Sequence, residues 1–131
     1  MATTASNADA YGLWLELVSG HVAVFAAVNT AAGEPHIDGG VIPLNTWSHV
    51  AMTFNAASGA LVVYVNGTAV GNTTFPGAIL ATTRNVLIGR EDSFLPRAFN
   101  GGIDEVGIYG RALTAVEIQS IATAGAKGKC K

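Results

Sequence analysis

The sequence predicts an all-β fold: an antiparallel sandwich or barrel of about seven or eight short strands, followed by one C-terminal helix. Three observations carry this. Apolar residues recur at every second position in short β-rich runs, tight-turn dipeptides separate the runs, and a single helix-capping signature appears near the end.

In chain order, Tyr11–Val18 and His21–Val28 form the first pair of strands, joined by Ser19-Gly20, a dipeptide suited to a two-residue hairpin turn. His36-Ile37-Asp38 follows in a stretch rich in Gly and Pro and reads as an exposed polar loop. The second pair is Trp47–Phe54 and Leu61–Val65, linked by residues 55–59. Along its first strand Val50, Met52 and Phe54 share one face, while Trp47, His49, Ala51 and Thr53 share the other. Asn66-Gly67 is the strongest hairpin signal in the chain, because a type I′ turn requires positive φ at both central residues. It leads into a strand over Thr68–Thr73. Pro76-Gly77 interrupts the pattern, and Asn85–Gly89 and Ile103–Tyr109 give two further strands. The helix is placed at Thr114–Ala124: Thr114 and Glu117 have capping-box spacing, Ile118 and Ile121 share an apolar side, and Gly125 is a stop.

Composition bounds the function. The chain has 131 residues, 50% of them hydrophobic and 12% charged, with seven Lys+Arg against nine Asp+Glu and a mean hydropathy of +0.39. That is too apolar for a disordered segment, and the net charge of −2 excludes electrostatic binding to nucleic acid. One domain over residues 1–131 is expected from the length. The longest unbroken apolar run, Val22–Val28, falls far short of the roughly 20 residues a membrane-spanning helix needs. The first residues carry neither a basic region nor an apolar core, so no secretory signal is expected in this chain. Cys130 is the one cysteine and reads as an unpaired terminal thiol. Between Asp38 and Arg84 there is no charged Asp, Glu, Lys or Arg, and so uncharged a stretch calls for cover.

Several motifs in order carry a family resemblance. Trp47-Ser-His-Val-Ala51, Ser58-Gly-Ala-Leu-Val-Val-Tyr-Val-Asn-Gly67, Leu87-Ile-Gly89, Phe99-Asn-Gly-Gly-Ile-Asp-Glu-Val-Gly-Ile-Tyr109 and Arg111-Ala-Leu-Thr-Ala-Val-Glu-Ile118 together resemble the laminin G-like, concanavalin A-like lectin/glucanase superfamily, which includes the pentraxins. The resemblance covers about Tyr11–Cys130 and implies a jelly-roll sandwich. Against the family pattern the strands before Tyr11 are missing, which makes it a jelly roll truncated at the N-terminus. An incomplete sandwich exposes a sheet edge and an inner face, so a homo-oligomer is expected, with strand exchange as one form of it. The superfamily also implies a secreted or extracellular setting.

The implied function is a non-catalytic recognition module for a glycan or an extracellular protein, with a structural or self-assembly unit as the alternative. Sugar recognition needs an aromatic platform with neighbouring polar groups, for which Tyr11, Trp14, Phe94 and Asn100 are candidates. The loop Gly89-Arg-Glu-Asp-Ser-Phe94 is similar to the acidic calcium loop of pentraxins, though one residue shorter. Glu91 and Asp92, with Asp9 from a second loop, are the calcium-ligand candidates, against a solvated turn in which Arg90 or Arg97 pairs with an acid. Trp47 and His49 are expected to support the core, and Asp104 to make structural hydrogen bonds. Adjacent strand residues face opposite ways, so Asp104 and Glu105 do not form a facing pair of catalytic acids. His21, His36 and His49 lack zinc spacing. Asn66 and Asn72 head glycosylation sequons, the first already explained by its turn. The sequence contains no Glu-x-Asp-x-x-Glu cluster, no Gly-x-Ser-x-Gly elbow and no phosphate-cradling glycine loop, and no enzymatic activity is expected.

Overall fold

The computed structural model describes residues 9–34, 36–90 and 98–125. Strands β1 (Tyr11–Val18), β2 (His21–Val28) and β3 (His36–Ile42) form one antiparallel sheet in the order β1-β2-β3. Strands β4 (Val50–Asn55), β5 (Ala60–Val65) and β6 (Thr68–Thr74) form a second in the order β4-β5-β6, and helix α1 (Ala115–Ala124) closes the described chain. The two sheets pack face to face as a truncated β-sandwich.

Both expected hairpins form as the turn chemistry requires. Ser19 and Gly20 have φ of 50° and 82°, and Asn66 and Gly67 have φ of 50° and 81°, the paired left-handed conformations of a type I′ turn. β1 and β2 pair in unbroken register from Tyr11↔Val28 to Val18↔His21. Asn66 also ties its turn to the neighbouring strand: its amide donates to the His49 carbonyl (2.8 Å), and its side-chain Oδ1 accepts from the His49 amide (2.9 Å).

The core lies between the central strands. Val24, Ala26 and Val28 of β2 and Ile37 of β3 meet Leu61 and Val63 of β5, and Leu15, Ile42, Val50, Met52, Phe54 and Val65 pack around them. Burying each large side chain of this kind stabilises the fold by about 1.5–3 kcal/mol. The outward residues of β2, Ala23, Phe25 and Ala27, are buried as well, and so is outward-facing Tyr64 of β5. Burial on both faces explains why these strands read as continuous apolar runs rather than alternating ones.

Helix α1 covers the outer face of β5, where Tyr64, Leu113 and Ile118 form a second small core with Ala51, Val62 and Ile121. The expected capping box is present. The Glu117 amide donates to Thr114 Oγ1 (3.3 Å), the Thr114 amide donates to Glu117 Oε2 (2.8 Å), and Gly125 ends the helix at φ 48°. Arg111 completes the cap with a two-pronged pair to Glu117, at 2.9 and 2.6 Å. That guanidinium, with help from the Thr114 amide, pushes the Glu117 carboxyl down to about 2.

Three expectations are corrected. His36–Asp38 is not a loop but the start of β3, paired Ala27↔His36, Ala26↔Ile37 and Phe25↔Asp38. Gly39-Gly40 hides the strand in the sequence, and the backbone of β2 supplies the ladder that local propensity does not. Conversely, 85–89 and 103–109 form no ladder among the described residues; nearby there is an isolated Arg90↔Ala98 bridge, with Phe99 N donating to Gly89 O (2.8 Å). Val86, Leu87, Ile88, Ile103, Val106, Ile108 and Tyr109 are 40–64% exposed, and among the described residues no strand is laddered to these segments. Finally, β4 begins at Val50, so Trp47 precedes the strand, and at 72% exposure it is not a core residue.

Two predictions follow from the turn and the cap. Gly67 combines a left-handed φ with close contact to the helix, since a Cβ there would lie 3.1 Å from the Gln119 Cα. Gly67→Ala is expected to cost about 1–2 kcal/mol from the backbone alone, read as a lower urea midpoint with unchanged slope. Glu117 has a folded pKa below its unfolded one, so the stability it adds is full above the ordinary 4.5 and is lost as pH falls toward about 2. Glu117→Gln is expected to lower the melting temperature at neutral pH, with the gap from the parent protein closing across that acid window.

Candidate functional site

Of the described candidates, Tyr11 and Trp14 do not share a surface. Tyr11 and Trp14 lie on the same strand at positions of opposite parity, so they occupy opposite faces of the sheet. Tyr11 shares the inner-face side of Leu15. Trp14 stacks on Phe25 across the outer face, with ring centroids 6.0 Å apart and planes inclined by 19°, and its Nε1 donates to Glu16 Oε1 (3.0 Å). Phe94, Glu91 and Asp92 lie outside the described residues.

Asn100 sits in an exposed loop, Phe99-Asn-Gly-Gly102, and this loop meets Trp47. A Cβ on Gly102 would come within 2.9 Å of the Trp47 indole Cη2, and one on Gly101 within 2.9 Å of the Phe99 ring. The two glycines thus let aromatic rings lie directly against the loop backbone. The result is an indole that is 72% exposed, a phenyl ring that is 45% exposed, and a carboxamide between Phe99 and the glycine pair. Trp47 and Phe99 were missed as candidates because alternation assigned Trp47 to a strand face. The available signal was the Gly-Gly pair directly after an aromatic and an amide.

The acidic candidate Asp9 is paired with Arg84 at 3.5 Å, both side chains well exposed. Glu34 lies near it; burial pushes the Glu34 carboxyl above its ordinary range, His36 opposes that shift and Asp9 adds to it. Among the described residues no three of His, Cys, Asp or Glu are grouped to hold a metal ion. Asp104 does make the expected local hydrogen bond, its Oδ1 accepting from the Glu105 amide (2.8 Å), but from a loop rather than a strand.

A cleft of about 350 Å³ lies beside the first turn of α1, lined by Tyr109, Arg111, Leu113, Val116, Glu117, Ser120 and Ile121. Its polar groups are already engaged with the protein: Arg111 holds Glu117, and Ser120 Oγ donates to the Val116 carbonyl (2.8 Å). No helix among the described residues is long and apolar enough to cross a membrane.

Two antiparallel sheets face to face, with a capped helix on the outer side, define a β-sandwich module. A laminin G-type profile described as the concanavalin A-like lectin/glucanases superfamily matches residues 1–119, and the chain belongs to that superfamily. Among solved structures, a 2.1 Å crystal structure of residues 221–444 of an S-layer domain-containing protein from Clostridium thermocellum is similar, with a TM-score of 0.55 and 24% identity. The match covers 86% of this chain and 63% of that one, so the chain spans less than two thirds of the relative's length; the likeness is one of fold. A comparison with curated proteins found no match.

Proposed function

We propose that the protein is a non-catalytic recognition module of an extracellular protein, binding glycan through the loop at residues 99–102 and acting as an oligomer. One observation carries the reading: the Trp47 indole lies open to solvent over Gly102, in the loop that also carries Phe99 and Asn100. An exposed indole offers the flat apolar face that packs against the C–H face of a pyranose ring, and a neighbouring amide can both donate to and accept from its hydroxyls. Superfamily membership and the S-layer relative support the extracellular setting. The alternative, a structural self-assembly unit without a sugar ligand, is favoured by the uncovered apolar residues of 86–88 and 103–109.

No step of this reading passes through calcium. Calorimetric titration of the protein with calcium tests the separate proposal, drawn from the resemblance, that Asp9, Glu91 and Asp92 bind it; absence of heat and of any thermal shift in millimolar calcium would remove it.

The glycan reading is tested by a glycan array followed by titration of the best-bound sugar. Trp47→Ala is expected to weaken binding at least tenfold while leaving the melting temperature nearly unchanged, because the indole is exposed. Gly102→Val is expected to do the same by displacing the ring. An array with no selective binding by the folded protein would turn the conclusion to the self-assembly alternative.

A further inference from the structure

The two sheets do not cover each other completely. β2 and β3 face β4, β5 and β6, while β1 overhangs, and of its inner-face residues Leu15 packs on the core whereas Leu13 and Leu17 are 38% and 74% exposed. β1 is also an edge. The Asn29 amide donates to the Ala10 carbonyl (2.8 Å), and a two-residue turn joins Val18 to His21, so the even-numbered residues direct their backbone groups toward β2. The N–H and C=O groups of Tyr11, Leu13, Leu15 and Leu17 therefore point to the open side.

Edge strands are normally blunted by charge, proline or a bulge. β3 and β6 each carry a register shift, at Ala23/Phe25 and Val63/Tyr64 of their partners, and β6 is largely Thr, Asn and Gly. β4 has no strongly exposed large apolar residue. β1 has eight residues in regular register, no proline, one charge, and exposed Tyr11, Leu13, Leu17 and Val18.

We propose that β1 pairs edge to edge with β1 of a second copy, making a continuous six-stranded sheet across a two-fold axis at Trp14. The inference rests on the oligomeric part of the proposed function and names its surface. Faces are preserved only if paired positions have the same parity. Centring on Trp14 sets Tyr11 opposite Leu17 and Leu13 opposite Leu15 of the second copy, which engages every outward-pointing backbone group from Tyr11 to Leu17. The same register places the two Trp14 residues as a close cross-strand aromatic pair on the outer face. It sets the lone carboxylate, Glu16, opposite Gly12 rather than opposite its own copy, so no like charges meet. This self-complementarity selects a second copy as the occupant, since an isologous contact must match one surface to itself. A single eight-residue edge buries less than the roughly 1,600 Å² of a standard interface, so the dimer is expected to be concentration-dependent.

Sedimentation equilibrium of the full chain over about 1–200 μM, with reductant present to keep Cys130 from cross-linking, tests this. A reversible monomer–dimer equilibrium is expected, weakened at least tenfold by Leu13→Lys or Leu17→Lys and unchanged by Val41→Lys, an exposed apolar site on β3 whose exposure lies between theirs. Amide exchange on the unaltered protein gives a second readout: protection at Leu13, Leu15 and Leu17 rises with concentration. A monomer throughout the range, a dimer indifferent to both lysines, or exchange independent of concentration overturns the proposal. Glycan titration of the lysine variants separates the two ideas, because a monomer that still binds sugar through Trp47 leaves the recognition function standing.

Discussion

The contact between the inner faces of β2 and β5 is the constraint on which the remaining structure depends. Val24, Ala26 and Val28 are packed against Leu61 and Val63 with almost no solvent exposure, and this seam sets the separation and angle of the two sheets. The other elements are positioned from it. β1 and β3 flank β2, β4 and β6 flank β5, and the second face of β5 takes the helix through Tyr64 and Ile118. Such a seam tolerates no unpaired charge, which accounts for the lack of ionisable Asp, Glu, Lys or Arg between Asp38 and Arg84, a stretch that spans β4, β5 and β6.

A seam this narrow leaves much of the apolar sequence exposed among the described residues. The inner face of β1 overhangs, 103–109 runs exposed toward the helix, and Trp47 lies on a glycine rather than in a core. Contiguous apolar surface of this kind marks places where other molecules sit. The surface proposed for recognition and self-association is accordingly the complement of the core: ring faces and strand edges that the two short sheets do not cover.

The candidate site was only partly legible in the sequence. Asn100 falls in the loop that the structure brings to Trp47, but Tyr11 and Trp14 are separated by the sheet itself. Trp47 was assigned to the core because residues 47–54 alternate well; alternation identifies a face and cannot say whether anything lies against it. Phe99 is one apolar residue among many in the sequence. Only the placement of Gly101 and Gly102 under the two rings distinguishes them.

Turn and cap chemistry determined what the sequence could determine alone. Ser19-Gly20 and Asn66-Gly67 fix two hairpins, Thr114 and Glu117 fix the start of the helix, and the apolar runs fix β1, β2, β4 and β5, because each depends on residues within a few positions of one another. The superfamily was legible as well, through the order of its motifs. Tertiary structure decided the rest. β3 exists because β2 offers it a ladder despite two glycines, whereas 85–89 and 103–109, with better strand composition, join no ladder among the described residues. A strand is a property of two segments, and a sequence read one segment at a time cannot show whether the second is there.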